Sequence, residues 1–118
     1  VNRDELAART KDFAKRVLRM AAALPGDHAG DAIGRQICRS ACSVAANYRA
    51  ALRGKTRADF ANKITTVLEE ADETLFWLEM TAEMEFVPAA RLQPLLAEAD
   101  ELVRIFTATR ATTRNHQS

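Results

Sequence analysis

The sequence predicts an all-α fold, an antiparallel up-down-up-down four-helix bundle. Three observations lead there. Apolar residues recur at spacings of three, four and seven through four stretches, each about 20–27 residues long. Short breaks at Pro25-Gly26, Gly54 and Phe86-Val87-Pro88 separate them. Only four Gly and three Pro occur in 118 residues, which disfavours a chain of many short strands. Short connections make neighbouring helices antiparallel. The same breaks argue against one long coiled coil. One domain is expected over residues 1–118, with 113–118 a disordered polar tail.

The first helix is expected from about Asp4 to Leu24, with Leu6, Phe13, Val17, Met20 and Leu24 as its stripe. Asn2 with Glu5 three residues on resembles a capping box, each side chain satisfying a backbone or side-chain partner of the other. The second is expected from Ala29 to Arg53, with Ile33, Ile37, Ala41, Val44, Tyr48 and Leu52 facing inward. Asp27 or Asp31 suits its N-cap. Gly34 weakens its first turns by about 1 kcal/mol relative to Ala. The run Ala41 to Ala46 is small on every face, which lets neighbouring helices approach closely.

Gly54 suits a helix stop, and Thr56 with Asp59 signals the next start. The third helix runs to about Met84 on Phe60, Ile64, Val67, Leu68, Ala71, Leu75 and Leu78. Pro88 suits the opening of the fourth, Ala89 to about Ala111, on Leu92, Leu95, Leu96, Ala99, Leu102, Val103 and Phe106.

The net charge of +1 is unevenly spread, with residues 25–57 carrying +4 and residues 58–88 carrying −7. No stretch approaches the roughly eighteen apolar residues of a membrane span, and no signal peptide is visible. The two cysteines, Cys38 and Cys42, share a helix face but not disulfide geometry. Two free thiols suggest a reducing compartment, so a cytoplasmic protein without membrane contact is expected.

Recognised chemistry fails test by test. Two thiolates with His28 and His116 elsewhere are too few for a metal site. A di-iron bundle site needs Glu-x-x-His on two helices, and no His lies in a helix interior here. Ser40, Ser43, Cys38 and Cys42 sit mid-helix without a His or a Gly-rich turn, so nucleophilic catalysis has no support. No phosphate-cradling loop occurs. The expectation is a non-enzyme with no cofactor.

Three sets remain. Arg35, Arg49, Arg53, Lys55 and Arg57 are basic enough to meet phosphates, although an ordinary solvated helix face is the alternative. If the second and third helices pair about Lys55, Arg39 lies near Asp72 and reaches Glu69 or Glu73. Such a guanidinium–carboxylate pair is directional and fixes register; solvated surface charge is again the alternative. Trp77 beside Phe76 lies outside the third stripe, closing the core edge or meeting another subunit.

Leu24-Pro25, Gln36-x-x-Arg39-Ser40-x-x-Ser43-x-x-Ala46-Asn47, Ala58-Asp59-Phe60-x-x-Lys63 and Glu70-Ala71-x-Glu73-Thr74-x-x-Trp77-Leu78-Glu79 resemble the four-helix-bundle family called S23 ribosomal or 23S rRNA intervening-sequence proteins. The likeness covers roughly Phe13 to Met84, with the fourth helix alike only in pattern. It implies a small bacterial bundle, in some members a homopentamer. A related member, the accessory variability determinant of diversity-generating retroelements, is a basic pentamer that binds nucleic acid and its partner reverse transcriptase. The family motif includes Arg39, Asn47, Glu70 and Glu73, which implies that these four form a structural clamp. This chain departs from the pattern in lacking an acid shortly after Asn47 and in its near-neutral charge.

Two functional expectations follow. One is an oligomeric accessory protein that binds RNA or DNA. The other is a protein-interaction scaffold, with a protein partner and no nucleic acid. The first wants the basic residues exposed together; the second wants the basic and acidic halves to meet across subunits, pairing these residues with Glu79, Glu83 and Glu85.

Overall fold

A computed structural model describes residues 2–117. Its helices are α1 (Arg3–Ala21), α2 (His28–Leu52), α3 (Arg57–Glu83) and α4 (Ala89–Gln117). They form an antiparallel bundle of 47 × 22 × 21 Å. Each helix packs on its sequence neighbour, while α1 meets α4 only lightly and stands diagonal to α3.

The helix starts follow from local chemistry. Asn2 Oδ1 accepts the Glu5 backbone N–H at 2.8 Å, and its amide donates to Glu5 Oε1 at 3.1 Å. Of the two aspartates suited to cap α2, Asp27 does so, accepting from Gly30 N at 2.8 Å. Thr56 Oγ1 accepts from Asp59 N at 3.0 Å. Each cap satisfies an N–H that the helix itself leaves orphaned.

The ends differ from expectation in two places. α1 stops at Ala21, and the carbonyls of Met20 and Ala21 take the N–H groups of Ala23 and Leu24 in a short turn. α4 continues through Gln117, well past Ala111, so residues 113–117 are helical and the expected disordered tail is not seen there; Ser118 lies outside the described residues. No Gly or Pro interrupts that stretch, and Thr112 and Thr113 turn their hydroxyls onto the carbonyls of Ala108 and Arg110. Pro94 also lies inside α4, near its start, where it forgoes one backbone bond.

Between α3 and α4 no glycine is available. Glu85 adopts φ 56°, with its N–H on Ala82 O and that of Phe86 on Thr81 O. This pair of bonds is a Schellman motif, normally built on glycine. Between α1 and α2 the critical glycine is Gly30: a Cβ there would lie 1.9 Å from the Pro25 carbonyl oxygen. At Gly34 the corresponding contact is an ordinary 3.4 Å to Leu24 Cδ1.

The four stripes converge on one core. Phe13, Val17, Ile37, Val44, Ile64, Val67, Leu78, Leu92, Leu102 and Phe106 have no solvent exposure. Full burial of such side chains stabilises by roughly 1.5–3 kcal/mol each before entropy is counted. Tyr48 packs against Phe106 with ring centroids 5.4 Å apart. Ser40 and Thr74 are also fully buried, and their hydroxyls meet at 2.8 Å where α2 and α3 lie close. The small residues of α2 permit that approach.

Candidate functional site

Arg39 joins α2 to α3. Its Nη1 donates to Glu70 Oε2 at 2.8 Å and its Nη2 to Glu73 Oε2. Gln36 Oε1 accepts from its Nε at 3.3 Å. Glu73 Oε2 also accepts from the Trp77 indole N–H at 3.1 Å. The Glu73 hydrogen bond is the main cause that raises the Arg39 guanidinium above its ordinary pKa, with Glu70 adding to it. Asn47 is not joined to this group: its amide donates to the carbonyl and hydroxyl of Ser43, one turn back in its own helix. Glu69, the partner the hairpin pairing also allowed, is exposed on the outer face.

A second clamp was invisible in the sequence. Arg9 on α1 meets Glu98 on α4 by two parallel bonds of 2.7 Å and Glu101 at 3.0 Å. Eighty-nine residues separate Arg9 from Glu98. No turn fixes their register, and only the assembled bundle brings them together.

The basic set divides. Arg35, Arg49, Arg53, Lys55 and Arg57 are all exposed, and among the described residues none is in an ion pair. Arg49, Arg53, Lys55 and Arg57 gather at the α2–α3 turn. Arg35 stands about 27 Å away from Arg53 along α2 at 1.5 Å per residue, so it is not part of the cluster. Among the described residues, Glu79, Glu83 and Glu85 take none of these cations.

The outer stripe of α3 consists of Glu69, Asp72, Phe76, Glu79 and Glu83, all exposed. Phe76 is 51% exposed and meets the Trp77 ring edge-on at 4.9 Å. Trp77 itself is half-buried against the core, its indole held by Glu73. On the diagonal corner, the outer stripe of α1 carries Lys11, Lys15 and the exposed Leu18.

At the cluster's end of the bundle, α1, α2, α3 and α4 frame a cavity of about 640 Å³. Leu6, Tyr48, Leu52, Phe60 and Ile105 give it apolar walls, and Arg3, Lys55 and Arg57 bring positive charge. The Arg3 guanidinium lies 5.0 Å over the Phe60 ring.

The thiols remain free, Cys38 half-buried and Cys42 exposed. Burial pushes the Cys38 thiol up, and Cys42 beside it adds to the effect. Among the described residues no group of three or more His, Cys, Asp or Glu is arranged to hold a metal ion. No described helix is long and apolar enough to cross a membrane.

Comparison with known proteins agrees with this architecture. The chain is similar to a protein of unknown function from the S23 ribosomal protein family of Bacteroides thetaiotaomicron, at 26% identity and a TM-score of 0.85. That similarity covers 94% of this chain and 99% of the other. No curated protein matches. Neither the family description nor that of this solved structure names a reaction. With a family match spanning residues 4–108, the chain belongs to the 23S rRNA-intervening sequence protein family.

Proposed function

We propose that this protein is a non-enzymatic, self-associating bundle that binds RNA or DNA through the α2–α3 turn. The observation that carries this reading is the exposed cluster of Arg49, Arg53, Lys55 and Arg57, none of which is in an ion pair among the described residues. Phosphate contacts by such cations are electrostatic and release counterions. The family name, with its reference to ribosomal RNA, is consistent with a nucleic-acid partner.

Self-association is supported by the two outer stripes. The α1 stripe is basic around Leu18, and the α3 stripe is acidic around Phe76. They stand on opposite corners, so a head-to-tail contact pairs unlike charges and covers both apolar residues. Head-to-tail contacts of this kind close into rings when the rotation permits, and a homopentamer is the ring that the family resemblance implies. The same contact leaves the α2–α3 turn of each subunit at one end of the ring.

The test is light scattering at low and high salt, with labelled RNA and DNA titrated in the same buffers. Four phosphate contacts predict an affinity on duplex DNA that falls about 150-fold between 50 and 200 mM salt. An oligomer whose affinity for both nucleic acids is absent at low salt would leave the scaffold reading. In that case the partner is a protein.

A further inference from the structure

We propose that the cavity at the α2–α3 end binds a small amphipathic anion, an acyl or aryl body carrying a terminal carboxylate or phosphate. This goes beyond nucleic-acid binding and does not depend on it.

The cavity's volume of about 640 Å³ lies within the range of small-molecule pockets. Its chemistry is divided. Leu6, Ala51, Leu52, Phe60 and Ile105 form an apolar body. Arg3, Lys55 and Arg57 line it as well, and no Asp or Glu does. Among the described residues none of the three cations is in an ion pair. An apolar pocket whose lining charge is entirely positive selects a ligand with a greasy body and a negative end. A purely inorganic anion leaves the apolar wall unused, and a neutral or cationic amphiphile leaves the cations unused or repelled.

The hydroxyl groups contribute little to selection. Thr56 Oγ1 accepts the Asp59 N–H, and Thr109, Thr112 and Thr113 donate to carbonyls of their own helix. Tyr48 differs, because no hydrogen bond to its phenol occurs among the described residues and its ring is buried. Burial is the main cause that keeps this phenol protonated above its ordinary range. It is therefore a neutral O–H donor beside the cationic rim.

The experiment titrates the full-length protein with decanoate and decyl phosphate below their micelle concentrations, following amide shifts by NMR. Butyrate and decyltrimethylammonium serve as the other arms. Each buried methylene changes affinity by about fourfold, from roughly 0.8 kcal/mol. Burial of only three of the six methylenes that distinguish decanoate from butyrate therefore predicts butyrate binding about 60-fold weaker. Both decyl anions should bind, with shifts confined to residues 3–6, 48–60 and 105–113. Thr109→Trp, which fills the cavity from α4 and leaves every cation in the sequence, should weaken decanoate and leave nucleic-acid binding unchanged. Lys55→Glu with Arg57→Glu should weaken both. Equal binding of butyrate and decanoate, equal binding of the cationic amphiphile, or indifference to Thr109→Trp would each overturn the assignment. Because Thr109→Trp separates the two activities, failure of the cavity and failure of the nucleic-acid surface are distinguishable.

Discussion

Replacing Arg39 by Met keeps the aliphatic stem over the α2–α3 surface and deletes the charge that holds Glu70 and Glu73. The Arg39 side chain is 49% exposed, while Glu70 is 16% and Glu73 34% exposed. Solvent therefore screens the guanidinium, and each ion pair belongs at the upper part of the surface range, roughly 0.5–1 kcal/mol. Two pairs on one planar group give about 1–2 kcal/mol, with the charge-assisted geometry favouring the higher figure. For a domain of this size the melting temperature should fall by about 4–8 °C. Glu73→Gln retains an acceptor for the Trp77 indole and removes only the charge. A double-mutant cycle between Arg39→Met and Glu73→Gln isolates the pair, with an expected coupling of about 0.5–1 kcal/mol. Urea denaturation followed by circular dichroism measures it, and 1 M salt should reduce the coupling, since screening then acts over about 3 Å. A coupling of zero, or an Arg39→Met protein as stable as the parent that no longer binds nucleic acid, would refute a structural role for the clamp.

Three further predictions rest on single positions. Gly30→Ala forces the added methyl against the Pro25 carbonyl and should destabilise by about 2 kcal/mol in thermal melts, whereas Gly26→Ala, with open space around it, should be near neutral. Glu85→Gly relieves a left-handed backbone position and should stabilise by about 0.5–1 kcal/mol; a loss of stability would show that the Glu85 side chain matters more than its φ. Burial raises the Cys38 thiol, so at any pH below its titration less of it is thiolate than in a free cysteine. A disulfide reagent at pH 8 should therefore label exposed Cys42 first and Cys38 in a slower phase that accelerates as pH rises; Cys42→Ser should remove the fast phase.

The bundle and its starts were legible because the signals are local. Helical spacing chose the inward residues, and the caps at Asn2 and Thr56 lie within three residues of the groups they satisfy. The stop at Glu85 was not legible as a glycine-type cap, since the residue type opposes the backbone it adopts. The Arg39 clamp was legible in outline because a short turn fixes the pairing of α2 with α3. Glu70 takes the place of Glu69 there because a helix turns about 100° per residue and one step moves a carboxylate to the outer face. Asn47 found a nearer partner in Ser43, as short polar side chains commonly do on a helix. The Arg9–Glu98 pair and the end cavity need helices far apart in sequence, and no local rule sets how those helices meet.

The light contact between α1 and α4 has a consequence for how the chain folds. The other seams join sequence neighbours, so successive hairpins can zip without closing a long loop, which favours fast folding. Arg9 and Glu98 are 89 residues apart, so their seam depends on the neighbouring hairpins having formed. That seam closes last and opens first, so α1 should exchange its amide hydrogens ahead of α2 and α3 without the rest of the bundle unfolding.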